Sequence, residues 1–386
     1  MNPLYETMKV SVFERMSIAA ARHGAVNLGQ GFPDFGWRPE MIAAASRALE
    51  GSNQYAPSRG LPVLREAVAD HYTRHHAMAI DPEQICVTSG ATEALAAAIL
   101  ATIEPGDEVI VFTPAYDAYA PLVRRAGGVV IEVALQPPGW RIEQAAIEAG
   151  VTPKTSAIIL NNPHNPTGRL FDAAELEAVA AVARAHDLMV ISDEVWEHVL
   201  LDGQAFVPLA ALPGMAERTI KCGSAGKIFS LTGWKIGWLV AAPELASVAA
   251  RAHQFLTFAS PPNLQAAVAF GLSEGDAWIA PMRADFARAR DRMAGRLAAA
   301  GFAVLPSAAT YFHCVDLAAS GVGMDDEAFA AQAVEGGVAV IPLSAFAEDA
   351  PPRHLVRLCF AKRDSTIDAG VDALARVRDV LVRGGA

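Results

Sequence analysis

The run TSAIILNNPHNPTGRLFDAAELEAVAAVARAHDLMVISDEVW, from Thr155 to Trp196, decides the fold. Ala157–Leu160 is short and apolar, as a buried strand should be. A turn dense in Asn, Pro and Gly follows it. Asp172, with Glu175 three residues later, has the spacing of a capping box and opens a helix over about Ala173–His186. Met189–Ser192 is then a second apolar strand. Such alternation makes a mostly parallel sheet covered by helices.

The same texture continues on both sides. Ile85–Thr88 reads as a strand and Ala91–Ile103 as a helix. Glu108–Phe112 and Val129–Val133 are strands around another helical segment. Thr219–Cys222 and Trp238–Ala241 are further apolar runs. After about residue 283 the pattern changes. MRADFARARDRMAGRLAAAG is an amphipathic helix closed by Gly301, and short strands follow at Ala303–Leu305, Tyr311–Val315, Ala339–Ile341 and Leu355–Phe360. The last helix, from about Thr366, carries Ile367, Val371, Leu374 and Leu381 at helical spacing. The expected architecture is α/β: a large domain over 44–282 and a smaller α+β domain. The second unit takes in 283–386 and also 1–43, which lacks a sheet unit of its own.

Composition narrows the function classes. With 52% hydrophobic and 19% charged residues among 386, the chain can bury a sizeable core. The net charge is −11 and no Lys/Arg run appears, so no nucleic-acid partner is expected. No stretch of about 18 apolar residues exists, and the N-terminus lacks a signal-like apolar core, so no membrane partner is expected. Cys86, Cys222, Cys314 and Cys359 are scattered without a Cys-x-x-Cys pair, which fits a reducing cytoplasm.

Five segments can carry chemistry. In GSAGKIFSLTGWKIGW, Gly223–Trp238, small residues surround Lys227, a lysine able to form a Schiff base with a carbonyl cofactor. Ser224 and Lys235 in that loop can bind phosphate; a surface loop of solvated lysines would read alike. LNNPHNPTGR, Leu160–Arg169, places Asn165 at the carboxyl end of a strand, where open α/β sheets bind ligands. Asp193 closes the next strand, and a carboxylate there needs a cation or donor, such as a protonated pyridine nitrogen, unless it is only a cap. In VTSGATEAL the N–H groups of Gly90, Ala91 and Thr92 open a helix and form an anion site, though Ser-Gly before a helix is mostly capping. Arg357 lies in the apolar strand VRLCFAK, where a guanidinium meets a carboxylate, structural or from a substrate.

Together with VNLGQGFPDF, NQYAPSRGLPVLREAV and ATYFHCVDL, these segments resemble class I/II aminotransferases of fold type I, pyridoxal-phosphate enzymes. The likeness is greatest to the branch of kynurenine aminotransferase, glutamine transaminase K and methionine aminotransferase, and it runs from about residue 26 to 370. The resemblance implies pyridoxal 5'-phosphate as cofactor, with Lys227 as the Schiff-base lysine and the base that moves the α-proton. Asp193 would pair with the pyridine nitrogen, and Asn165 would donate to the ring hydroxyl while bordering the substrate. Ala91, Thr92, Ser224 and Lys235 would hold the phosphate, and Tyr116 would stack on the ring. Tyr55 would reach the phosphate of the neighbouring subunit of a homodimer with shared sites. Gly31 and Arg357 would receive the substrate carboxylate. Phe13 and Phe258 would border its side chain, Phe258 from the other subunit.

Two positions depart from that family. Trp196 stands where a tyrosine usually helps bind the cofactor's ring oxygen, and Ala259 stands where kynurenine enzymes can carry histidine. His71, His75 and His76 have a spacing that could ligate metal, but with no carboxylate cluster beside them they read as a solvated helix face, and no metal is expected. His164, inside the Asn-Pro loop, is placed to touch substrate.

The expected activity is transfer of an amino group from a neutral L-amino acid (methionine, glutamine, aromatic or kynurenine-like) to a 2-oxo acid. QFLTFASPP, from Gln254, offers no arginine for a second carboxylate. The rival is a β-lyase acting on cysteine S-conjugates through the same lysine. A cofactor-sensing regulator would need a basic helix-turn-helix segment, which is missing from the sequence.

Overall fold

The computed structural model describes residues 1–384. Its large sheet has seven strands: β1 Ile85–Ser89, β2 Glu108–Thr113, β3 Val129–Ala134, β4 Thr155–Asn161, β5 Met189–Asp193, β6 Thr219–Ser224 and β7 Ile236–Val240. Their spatial order is β1-β7-β6-β5-β4-β2-β3. Neighbours from β3 across to β6 are parallel, whereas β7 runs antiparallel to both β1 and β6. The expected mostly parallel sheet is therefore present. The antiparallel β7 brings the Lys227 loop back over the edge at which β1, β2, β4, β5 and β6 end.

Helices α1 Pro62–His76, α2 Ala91–Thr102 and α3 Ala173–Ala185 belong to this part, and α4 Ile279–Ala299 leads out of it. The capping box of α3 is formed: Asp172 Oδ1 accepts from Ala174 and Glu175 N–H, and Glu175 Oε2 accepts from the Asp172 N–H. Because β1, β2 and β4–β6 are buried along almost their whole length, both faces of the sheet are packed. One core lies against α3 and another against α2.

Four short strands form a second, antiparallel sheet: β8 Ala303–Val304, β9 Phe312–Asp316, β10 Ile341–Pro342 and β11 Leu355–Cys359, in the order β10-β11-β9-β8. Helix α5, Asp364–Gly384, crosses α4 and packs Ile367, Val371 and Leu374 into a core that also holds Leu28 and Phe286. Two expectations need correcting. The run Ala339–Ile341 is not one strand: Val338–Ala339 pairs in parallel with Val26–Asn27, so the N-terminal segment does supply a strand, while Ile341–Pro342 joins β11. The histidines of α1 are not a solvated face either. His71 is buried against His198, and burial drives its pKa down to about 3. The spacing alone could not reveal this, because the covering residues lie about 125 and 200 positions away.

Candidate active site

Strand ends and the loops beyond them converge on a cavity of about 270 Å3 at the carboxyl edge of the large sheet. Gly90 turns the chain at φ +75°, so α2 begins at Ala91 with its first N–H groups lacking carbonyls within the helix. A side chain on Gly90 would lie 3.2 Å from Lys235 Cε and Nζ. Glycine there lets the ammonium come up to the positive end of α2. Ala91, Thr92, Ser224 and Lys235 all border the cavity, as a site for a doubly charged anion requires.

Asp193, the last residue of β5, is buried and lines the same cavity. Tyr119 Oη donates to its Oδ2 at 2.6 Å. Burial pushes the Asp193 carboxyl above its usual range, and Tyr119 offsets only part of this. No cation pairs with it among the described residues, so a cationic partner in the cavity would restore its charge.

Lys227 projects into the cavity from the short helix after β6. Its Nζ donates to Tyr311 Oη at 3.3 Å, and Tyr311 donates onward to the Gly31 carbonyl at 2.8 Å. The face of Trp196 lies 4.7 Å from Nζ. Although the side chain opens on the cavity, the surrounding protein is dense enough that desolvation lowers the amine's pKa to about 8. Trp196 thus offers its ring face to the amine, and among the described residues its indole N–H makes no hydrogen bond.

Arg357 sits in β11, is fully buried, and meets the cavity lining at Asn165. Its Nη1 donates to Asn165 Oδ1 at 2.8 Å and Nη2 to the Gly29 carbonyl at 2.9 Å, while its Nε has no partner among the described residues. With Oδ1 so engaged, the Asn165 amide nitrogen is the end left to donate. Burial lowers the Arg357 pKa to about 10. The rings of Phe312, Phe13 and Phe346 surround its Cζ at 3.9, 5.0 and 5.3 Å. Gly31 is required here, since a Cβ would come within 2.8 Å of Phe312 Cζ.

Most of the residues singled out in the sequence are therefore gathered at one place. Tyr55 and Phe258 are not: they pack edge to face at 5.5 Å on the surface, 86% and 43% exposed. His164 is also elsewhere. It is buried, its Nδ1 is paired with Thr167 Oγ1 at 2.8 Å, burial takes its pKa to about 3, and it does not line the cavity. The expectation that it touches substrate is corrected. The sequence reading missed Tyr119, Phe346 and Tyr311. A signal existed for Tyr119, three residues after Tyr116 in TPAYDAY and packed against its ring, whereas nothing local marks Tyr311 as a neighbour of Lys227.

The family model for aminotransferases of class I and II matches residues 24–374. The chain is 45% identical, over 95% of its length and 95% of the relative's, to the probable N-succinyldiaminopimelate aminotransferase DapC of Mycobacterium tuberculosis. It is 40% identical to the methionine aminotransferase of Escherichia coli K12, covering 97% of this chain and 99% of that one. The solved N-succinyldiaminopimelate aminotransferase from Mycobacterium tuberculosis superposes with a TM-score of 0.94, at 45% identity, covering 98% of this chain and all of that one. A fold type I α/β framework with this site defines a pyridoxal-phosphate-dependent transferase. The chain belongs to the class I and II aminotransferases, and it is an enzyme whose cofactor is pyridoxal 5'-phosphate. The residues present fit that group: an anion cradle at α2, a buried carboxylate without a cation, and a depressed amine meet in one cavity. No helix among the described residues is long and apolar enough to cross a membrane.

Proposed function

We propose that the enzyme moves the amino group of a neutral L-amino acid to a 2-oxo acid, using the residues gathered at the cavity. When bound, pyridoxal phosphate supplies an electron sink for the bonds at the substrate's Cα. Lys227 would anchor it, and its Nζ would be the group to take the Cα proton and return it. An amine near pKa 8 is suited to both directions. Asp193 would hold a proton on the pyridine nitrogen, and Asn165 would donate from its amide to the ring oxygen. Ala91, Thr92, Ser224 and Lys235 would take the phosphate, with Tyr116 and Trp196 bordering the ring.

The observation that carries the substrate reading is Arg357, a buried guanidinium with an unsatisfied Nε–H, set among aromatic rings. Such a group recognises one carboxylate, and its surroundings favour an apolar side chain. A longer, amidated substrate is a second reading, favoured by the 45% identity to the relative named for N-succinyldiaminopimelate. The exposed Tyr55–Phe258 pair supports a homodimer in which both reach the neighbour's site. The chain ends, 1–43 and 283–386, then act as a small domain closing on 44–282. Four buried free cysteines are in keeping with the cytoplasm.

A donor screen tests the reading: methionine, glutamine, kynurenine, phenylalanine, aspartate and N-succinyl-diaminopimelate, each with and without several 2-oxo acids. A neutral donor should give the highest kcat/KM, with turnover dependent on added 2-oxo acid. Preference for aspartate would refute the neutral-substrate assignment, and turnover without any 2-oxo acid would indicate elimination.

A further inference from the structure

A group of histidines that does not line the cavity has no place in the reaction. His71 and His75 stand one turn apart on α1, His198 lies five residues beyond Asp193, and Asp276 is in the turn before α4. The ring centroids of His71, His75 and His198 are 4.4 to 4.9 Å apart. His71 Nε2 and His198 Nε2 face each other at 2.7 Å, and His75 Nε2 is 2.8 Å from Asp276 Oδ1. The donor atoms of His71, His75 and Asp276 all lie within 4.8 Å of one another.

We propose that His71, His75, His198 and Asp276 bind one divalent transition-metal ion, with zinc the best match. Three imidazoles and one carboxylate are a borderline donor set that suits zinc, and His residues four apart on a helix present both rings to one ion. Tetrahedral zinc with bonds of ~2.0–2.1 Å holds its ligand atoms roughly 3.3 Å apart. The two close pairs would open by about half an ångström, and His198, which lies outside the 4.8 Å group, would have to move in by roughly 1.5 Å on its longer separations.

A purely hydrogen-bonded cluster explains the arrangement less well. One proton can serve the His71–His198 pair, but it leaves two imidazole nitrogens face to face at 2.7 Å beside a third ring and a carboxylate. Uncompensated imidazoles of this kind are costly unless something joins them. Four protein ligands leave no open position, so the ion is structural. It would fasten α1 and the turn before α4 to the loop that follows Asp193, already tied to α4 by Arg283 Nε donating to the His198 carbonyl at 3.0 Å.

The test uses untagged holoenzyme and zinc alone, with titration calorimetry and metal analysis after dialysis. One zinc per chain is expected, with a rise in Tm, and cobalt(II) in its place should give the intense visible bands of a tetrahedral site. His75→Gln and Asp276→Asn, both at partly exposed positions, should each weaken zinc binding by at least about tenfold while the cofactor's absorbance stays unchanged. Absence of stoichiometric uptake by the wild-type chain would overturn the site. So would undiminished uptake in both variants, which would place the ion elsewhere. Should a variant fail to fold, the wild-type stoichiometry and the cobalt spectrum still decide.

Discussion

Lys221 and Lys227 are six residues apart in sequence, both enclosed by protein, and in opposite electrostatic states. Lys221, within β6, donates to Glu194 Oε2 at 2.6 Å and Glu197 Oε2 at 2.7 Å. Burial alone would lower its pKa, but the two carboxylates reverse this and hold it well above the ordinary value. Lys227 has no carboxylate partner among the described residues. Only a phenol and an indole face meet it, so burial prevails and its pKa falls to about 8. A depressed amine is thus made by withholding a counter-charge, and one held charged by supplying two.

The largest effect expected from this contrast is chemical. Lys227→Ala should cut turnover by at least about 10³-fold, and borohydride reduction of the wild-type holoenzyme should label Lys227. A label on Lys221 would reverse the assignment of the two lysines.

Lys221→Met should do the opposite, lowering unfolding free energy by about 3–5 kcal/mol, because it strands a buried carboxylate. Activity per folded molecule should survive. The Glu197 carboxyl is raised by burial but brought well below 4.5 by Lys221 and the nearby histidines. Its contribution is therefore present above about pH 4.5 and lost as pH falls through the folded value, so acid melts of the two proteins should converge. Equal stability at neutral pH would show that the ion pair contributes nothing net.

Arg357 is a third buried cation, satisfied only in part. Arg357→Lys should cost about 2–5 kcal/mol in kcat/KM for amino acids with cofactor retention unchanged. Unaltered kinetic constants for every donor would remove it from substrate recognition.

A smaller effect concerns pH. In cofactor-free protein the neutral Lys227 amine is the attacking form, so the rate of reconstitution with pyridoxal phosphate should rise with pH about a midpoint near 8. A midpoint near 10.5 would mean that burial does not activate it. Smallest is Trp196→Tyr. A phenol donating to the cofactor's ring oxygen stabilises its anionic form, so the pH midpoint of the bound cofactor's visible absorbance should fall, by less than about one unit or ~1.4 kcal/mol. An unchanged midpoint would separate residue 196 from the ring oxygen.

The candidate site residues that the sequence singled out, and that the fold gathers at the cavity, are those carried by local pattern. Asp193 and Asn165 end apolar strands, Ala91 opens a helix after a glycine, and Lys227 lies among small residues between two strands. Strand order and the antiparallel β7 are long-range properties, and no short run encodes them. Tyr311 escaped for the same reason, since it meets Lys227 from 84 residues away.

By itself the sequence determined the α/β alternation, the capping box at Asp172 and the set of groups able to hold an anion, a carbonyl and a carboxylate, because each depends on neighbours within a helical turn or a strand. Tertiary structure alone decided which lysine is paired, that the α1 histidines are buried beside His198, and that Tyr55 and Phe258 stay on the surface. Those outcomes depend on desolvation and on charges contributed by distant segments, and both are set only when the chain has packed.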